Sequence, residues 1–559
     1  MKQSLLVSLA FAVVLQACAG GPAVSTAPTS APNATTPNGA TRPVPGASLG
    51  VPAVPTLRAL TSAPEDWQRL SPEVDGVFGV GSERALSELL NGKTPARRVI
   101  VAVIDGGVDT AHTSLVSNLW RNTKETVNGK DDDDDGLIDN NLGWNYAGGA
   151  NLKSVNAESF EITRLYAACQ GAPAGRGTPK PDAARCDKLK SDYDKKKNET
   201  TMQVAQIASF VQTTSAVTAI LQQAMNTKDL TKSAVEAYKP TGEQIAQARQ
   251  IWLQIEATGL MGKGAEDALA GAQDQVKYSL DINFDSRTIV GDNISDLSEK
   301  LYGNRDVTGP DAMHGTHVAG IIGAARNGGK MQGIAPSVQI MAVRAVPNGD
   351  ERDKDIANAI RFAVDHGAHI INMSFGKSYS PGKSAVDAAA QYAESRGVLM
   401  VHAAGNDGEN IDVDPSFPSP ILENKRRLAN WLEVGATSWK GLDELAAEFS
   451  NYGRTRVDLF APGVDILSTV PGGGTKRESG TSMAAPVVSG VAALLMSYFP
   501  TLSATEVREI LVASARRIDV QVVKPGSKDK VSFAALSSSG AVVDAYAAVK
   551  MAQARAVPK

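Results

Sequence analysis

Four short runs of β-branched and aliphatic residues stand out along the chain: Val99-Ile100-Val101-Ala102-Val103-Ile104, Ile340-Met341-Ala342-Val343, His369-Ile370-Ile371-Asn372-Met373 and Val398-Leu399-Met400-Val401. Runs of this kind, with no regular polar alternation, predict strands buried on both faces of a parallel sheet. Between them, Ile356 to Asp365 and Ser384 to Ser395 read as helices. Strand and helix in alternation predict an α/β domain with a mostly parallel central sheet.

Residues 152–300 break this pattern. They lack buried-strand runs, and apolar residues recur there at helical spacing: Val204, Ile207, Ala208 and Val211, then Val217, Ile220, Leu221 and Ala224, then Ile245, Ala248, Trp252 and Ile255. This predicts a mainly helical insertion, a hairpin or small bundle. The strand-bearing parts, 99–151 and 301–550, form one expected α/β domain, and 551–559 a short tail. In the segment 61–98, Ala85, Leu86, Leu89 and Leu90 mark one short amphipathic helix of an N-terminal arm. Residues 19–60 are rich in Pro, Ala, Thr, Gly and Ser, a composition that cannot bury enough apolar surface to fold and predicts a flexible tether.

Residues 1–18 read as an export signal. Lys2 supplies a positive start, and Leu5 to Leu15 is an apolar run too short to span a bilayer stably. Leu15-Gln16-Ala17-Cys18 is similar to a bacterial lipobox, in which the Cys18 thiol accepts lipid. The alternative is a secretory signal cut near Ala17 or Ala19. The lipid reading places the protein on a membrane outside the cytoplasm, with the outer membrane favoured by Ala19. Cys169 and Cys186 then remain, and an oxidising compartment predicts a disulfide between them, two buried thiols being the alternative.

Composition narrows the field. Of 559 residues, 42% are hydrophobic and 21% charged, enough for a large core. The net charge is −4 with no basic block, which excludes a nucleic-acid partner that would need clustered Lys and Arg.

Three local motifs carry candidate chemistry. Val103-Ile104-Asp105-Gly106-Gly107 puts an acid at the end of the first strand, where active sites of open α/β sheets gather. His314-Gly315-Thr316-His317-Val318-Ala319-Gly320 opens a helix of small residues. Gly480-Thr481-Ser482-Met483-Ala484-Ala485-Pro486 is a glycine turn, a serine and the start of an apolar helix, whose N-terminal amides favour developing negative charge. Taken singly, Asp105 would be a turn acid, His314 a buried histidine and Ser482 a helix cap. Together, in this order, they resemble the subtilisin-like serine proteases, or subtilases. Gly333-Ile334-Ala335-Pro336, Ala403-Ala404-Gly405-Asn406, Ser450-Asn451-Tyr452-Gly453 and Ala461-Pro462-Gly463 strengthen the resemblance.

The resemblance implies a three-layer subtilisin-like fold and serine-type peptide hydrolysis with no organic cofactor. Ser482 would attack the carbonyl, His314 would take and return its proton, and Asp105 would orient the imidazole. The Asn406 amide and the Ser482 N–H would hold the oxyanion. Ser374-Phe375-Gly376 would offer an edge to which a protein or peptide substrate adds as a strand. His317 is expected to be structural, and His112, His366, His369 and His402 surface or core residues. A binding or scaffold protein on a protease fold is the competing reading. A serine esterase is a weaker one, since Gly480-Thr481-Ser482-Met483-Ala484 lacks the last glycine of the esterase elbow and Asp105 precedes Ser482.

Asp131, Asp133, Asp135 and Gly136, with Asp139 beyond, match the first half of a calcium loop in which alternate carboxylates converge. The twelfth position is Leu142, without the bidentate Glu of that motif. Structural Ca2+ and a solvated acidic turn both fit.

Overall fold

Each of the four runs becomes a strand of one sheet. The structure is a computed structural model and describes residues 57–171, 181–257, 261–326 and 331–556. The expected signal, Cys18 and nearly all of the tether lie outside the described residues.

The chain contributes β1 (Ile100–Asp105), β2 (Gly143–Asn145), β3 (Gln339–Arg344), β4 (Ile370–Met373), β5 (Leu399–Ala403), β6 (Trp431–Thr437) and β7 (Leu459–Pro462). A hairpin of β8 (Ile466–Val470) and β9 (Gly474–Glu478) follows. Then come β10 (Arg516–Arg517), a small hairpin of β11 (Gln521–Val523) and β12 (Lys530–Ser532), and β13 (Ala541–Val542). Nine strands form the main sheet in the order β10-β13-β7-β6-β5-β4-β1-β3-β2. Only the β10–β13 pair is antiparallel. β1 to β7 are buried almost throughout, and in β1, β3, β4 and β5 this burial on both faces shows as apolar runs.

The helices are α1 (Glu161–Cys169), α2 (Ala183–Met225), α3 (Lys232–Ala237), α4 (Glu243–Ala257) and α5 (Lys263–Asp274), then α6 (Met313–Gly323), α7 (Asp353–Asp365), α8 (Lys383–Ser395), α9 (Thr481–Tyr498), α10 (Ala504–Ser514) and α11 (Ala545–Ala556). α7 and α8 cover one sheet face, packing Ile360, Ala363, Ala389 and Ala393 against Ile104, Met341, Ile371 and Met400. α6 and α9 cover the other. Helices on both faces of a mostly parallel sheet make the three layers expected.

The described residues divide into two compact units, one of 57–204 and 270–556, the other of 205–269. Part of the segment expected as an insertion, 152–204 and 270–300, therefore belongs to the first unit. There Leu165 of α1 packs on Leu189 and Tyr193 of α2, and a Cys169–Cys186 disulfide joins these helices. The second unit has its own core, in which Val217 and Leu221 meet Val235, Ala248 and Trp252.

The N-terminal arm is held tightly within the first unit. Trp67 is fully buried, and its Nε1 donates to the Val464 carbonyl at 3.0 Å. Arg477 donates to the Ala63 carbonyl at 3.1 Å. The expected helix of the arm forms across Ser82–Leu89, but its last turn is wide, with Leu90 N–H reaching back to the Ala85 carbonyl.

Candidate active site

The order of strands reverses around β1, which lies between β3 and β4. The carboxyl ends of β1 and β4 flank that switch, where an α/β sheet leaves a crevice. Asp105 ends β1, and Ser374 follows β4.

Asp105 is 2% exposed. Its Oδ1 accepts the Gly106 N–H at 2.7 Å and lies 2.8 Å from His314 Nδ1, with Oδ2 at 3.0 Å. Since a carboxylate only accepts, Nδ1 carries the proton, and the lone pair of the neutral ring lies on Nε2. The approach depends on Gly315. A Cβ there would stand 2.2 Å from the Gly107 carbonyl oxygen and 3.1 Å from the Asp105 Cβ. Glycine lets the first turn of α6 close on β1, so that the neighbouring His314 reaches the acid. The His314 side chain keeps 40% of its surface open.

Ser482 opens α9, buried from Thr481 to Ser497. Pro486 has no N–H, so the Ser482 carbonyl lacks its usual helical donor four residues on. The Ser374 hydroxyl donates to that carbonyl at 2.9 Å, and the Ser482 hydroxyl donates to the Ser374 carbonyl at 3.1 Å. The single proton of Ser482 is thus directed at Ser374. Catalytic hydrogen bonds often realign only when substrate is bound.

Asn406 Oδ1 accepts both the Thr481 N–H at 2.7 Å and the Thr481 hydroxyl at 3.0 Å. An N–H donor needs an oxygen opposite, so the amide orientation is fixed and Nδ2 keeps its donors. The Ser482 N–H lies in the first turn of α9, where amides have no intrahelical acceptor.

Ser374, Phe375 and Gly376 continue β4 past the sheet, and Lys377 then pairs with Phe417 through two 2.9 Å backbone bonds. Sequence reasoning missed what anchors this edge. The Lys377 side chain is 1% exposed, with Nζ 2.8 Å from Glu161 of α1 and 2.9 Å from Asp353 of α7. Arg164 joins Glu161 and Glu158, and Arg352 lies 3.0 Å from Glu158. Burial opposes charge on Glu158, but Arg352 and Arg164 outweigh it and bring its pKa down to about 2. Charged residues read as surface in a sequence, so nothing local marked this cluster.

The other histidines are placed as follows. His317 is fully buried, with Nε2 2.9 Å from the Lys476 carbonyl. His112 ties to Gly474 through its ring. His369 Nδ1 accepts the Ile100 N–H, and burial, helped by Arg97, lowers its pKa to about 4. His402 is buried against Glu433.

The acidic run divides. Asp131 and Asp133 approach Glu125, while Asp133 and Asp135 approach His366, whose Nε2 is 3.0 Å from Asp135 Oδ2. Glu125 and His366 were missed because they are remote in sequence. Asp139 does not converge with the others, contrary to the sequence reading. Its Oδ1 accepts the Asn128 and Gly129 N–H groups, and its Oδ2 lies 3.1 Å from Arg305. Those bonds use it to fix the turn. The Glu125–Asp131–Asp133 group is all oxygen and fits a hard cation, whereas the His366 group does not suit calcium as well.

A family model described as the subtilase family matches residues 96–541. A thermophilic serine proteinase of Bacillus sp. (strain AK1) is 44% identical over 33% of this chain and 42% of its own length. A cell wall-associated protease of Bacillus subtilis (strain 168) is 35% identical over 42% of this chain and 25% of its own. Subtilisin Savinase of Lederbergia lenta is 39% identical over 36% of this chain and 70% of its own. The chain thus spans less than half the length of the first two relatives.

Proposed function

The chain belongs to the subtilase family, and on that premise we propose that it is a serine endopeptidase whose nucleophile is Ser482. His314 is the general base and Asp105 holds it in the productive tautomer. The observation that carries the reading is the 2.8 Å contact of Asp105 with His314 Nδ1, which sets the basic lone pair of the neutral ring on Nε2.

Substrate adding to the Ser374–Gly376 edge takes up the Ser374 carbonyl as an acceptor for its own N–H. The Ser482 hydroxyl is then free to turn to His314. As Oγ attacks, the proton moves to Nε2, and the oxyanion is met by Asn406 Nδ2 and the Ser482 N–H. The imidazolium returns the proton to the leaving amine. Water then repeats the cycle on the acyl-enzyme.

The protein acts outside the cytoplasm in this reading, tethered by lipid at Cys18, a placement supported by Lys2, the Leu5–Leu15 run and Ala17-Cys18. A structural Ca2+ at Glu125, Asp131 and Asp133 is supported by their oxygen ligands, with Asp135 as neighbour.

The test is labelling of the folded protein with a fluorophosphonate, alongside cleavage of a peptide library. Adduct on Ser482 and peptide products, both absent from Ser482→Ala, are expected. A folded protein that neither labels nor cleaves would instead be a scaffold.

A further inference from the structure

The proposed substrate edge is held at both ends. Upstream, Ser374 exchanges two hydrogen bonds with Ser482. Downstream, Lys377 and Tyr379 are gripped by α1 and α2, helices that sequence reasoning assigned to a separate insertion. Lys377 is buried, with Nζ 2.8 Å from Glu161 at the start of α1, 2.9 Å from Asp353 and 2.8 Å from the Glu351 carbonyl. Tyr379 is half-buried against the cluster that Leu165 of α1 forms with Leu189 and Tyr193 of α2, and its hydroxyl donates to Asp192 of α2. The segment leaving the edge is therefore tied to one helix by an ion pair and to the other by a hydrogen bond.

The two helices are tied to each other as well. Cys169 ends α1, Cys186 lies in the first turn of α2, and a disulfide joins them. Cys169 packs on the same cluster as Tyr379. In that cluster the rings of Tyr166 and Tyr193 stack with centroids 4.8 Å apart, and the Tyr193 hydroxyl donates to the Leu280 carbonyl at 2.7 Å. Both cysteines are half-buried, within reach of a small reductant. Movement of α1 away from Lys377 would take a carboxylate from a buried ammonium, and movement of α2 would release Tyr379.

We infer that the disulfide-closed pair of α1 and α2 positions the substrate edge: with the bond closed, Glu161 and Asp192 hold Lys377 and Tyr379, and Ser374–Gly376 stays aligned for an incoming peptide. Opening the bond lets the helices shift, loosens both holds and weakens substrate binding. A dithiol reductant does this by cleaving the S–S bond to two thiols while closing to its own disulfide. Lys377 and Tyr379 act only through the edge, so the effect falls on KM and leaves kcat. The inference rests on the protease reading.

The experiment measures kcat and KM for one peptide substrate in the full chain, before and after treatment with a dithiol reductant, and in Cys169→Ser/Cys186→Ser, Tyr379→Phe and their combination. Reductant should raise KM about three- to tenfold, the scale of one hydrogen bond, with kcat little changed. The double serine variant should show the same KM without reductant and no response to it. Tyr379→Phe should raise KM while the bond is closed and add little once it is open, because both changes act through one hold. If the serine variant does not fold, reductant on the parent protein and on Tyr379→Phe decides. A KM unmoved by opening the bond, even with a lower melting temperature, makes the disulfide merely structural and overturns the inference while fluorophosphonate labelling of Ser482 persists. Fully additive effects of reductant and Tyr379→Phe, or a loss confined to kcat, overturn it too. Absence of labelling and cleavage in the unsubstituted protein overturns the protease reading and this inference with it.

Discussion

Ser374 and Ser482 exchange two hydrogen bonds, hydroxyl to carbonyl in each direction, at 2.9 and 3.1 Å. The pair exists because Pro486 cannot donate to the Ser482 carbonyl. A proline that looks like a flaw in a buried helix thus joins the end of β4 to the start of α9. Proposed substrate edge and proposed nucleophile become one unit.

Ser374→Ala should leave the Ser482 carbonyl buried without a donor. The cost is about 1–3 kcal/mol, read as a lower denaturant midpoint. Pro486→Ala restores an N–H four residues on, so the double variant should regain part of that loss. A double-mutant cycle measures the coupling, and strictly additive effects would mean the two residues do not share this carbonyl.

Asp105→Asn keeps the size of the side chain but offers an amide where His314 needs a pure acceptor. Turnover should fall by roughly four orders of magnitude with the fold retained. Circular dichroism and peptide kinetics check both halves. A loss within about tenfold would remove Asp105 from the mechanism.

Asn406→Asp separates the two jobs of the amide. The carboxylate can still accept the Thr481 N–H, so folding should survive. It has no donor and adds negative charge, so kcat should fall by at least roughly 10²–10³. Steady-state kinetics decide: an effect confined to KM would exclude an oxyanion role.

Asp105, His314 and Ser482 were legible because each sits in a short motif whose neighbours are dictated by close packing, as Gly315 is by the Gly107 carbonyl. The strands were legible because burial on both faces leaves only apolar residues. β6 was passed over, since Glu433 and Gly435 interrupt its run although all seven residues are buried. β9 is mostly exposed, and its Gly474-Thr475-Lys476-Arg477-Glu478 run has no apolar signature at all. Glu125, His366 and the Lys377 cluster needed the fold, because partners far apart in sequence leave no local pattern.

Asp133 belongs to both acidic groups, so it discriminates best for calcium. Calcium should raise the melting temperature of the parent protein, and chelator should reverse the gain. In Asp133→Ala the response should vanish, and in Asp139→Ala the turn should weaken while a calcium response remains. A parent protein indifferent to calcium would leave the run as an acidic turn.

Glu351 gives a pH-dependent prediction with a definite sign. It is 2% exposed, and its Oε1 has no hydrogen-bond partner. Burial raises its pKa from 4.5 to about 7, against the pull of Lys377. A folded-state value above the unfolded one favours the neutral acid. Its contribution is therefore complete below about pH 4.5 and is lost as pH climbs toward 7, after which the fold carries a buried charge. Glu351→Gln mimics the neutral acid. It should match the parent protein near pH 4 and exceed it above pH 7, by on the order of 3 kcal/mol. Urea denaturation on both sides of that window tests the claim, and a difference independent of pH would assign the effect to packing instead of charge.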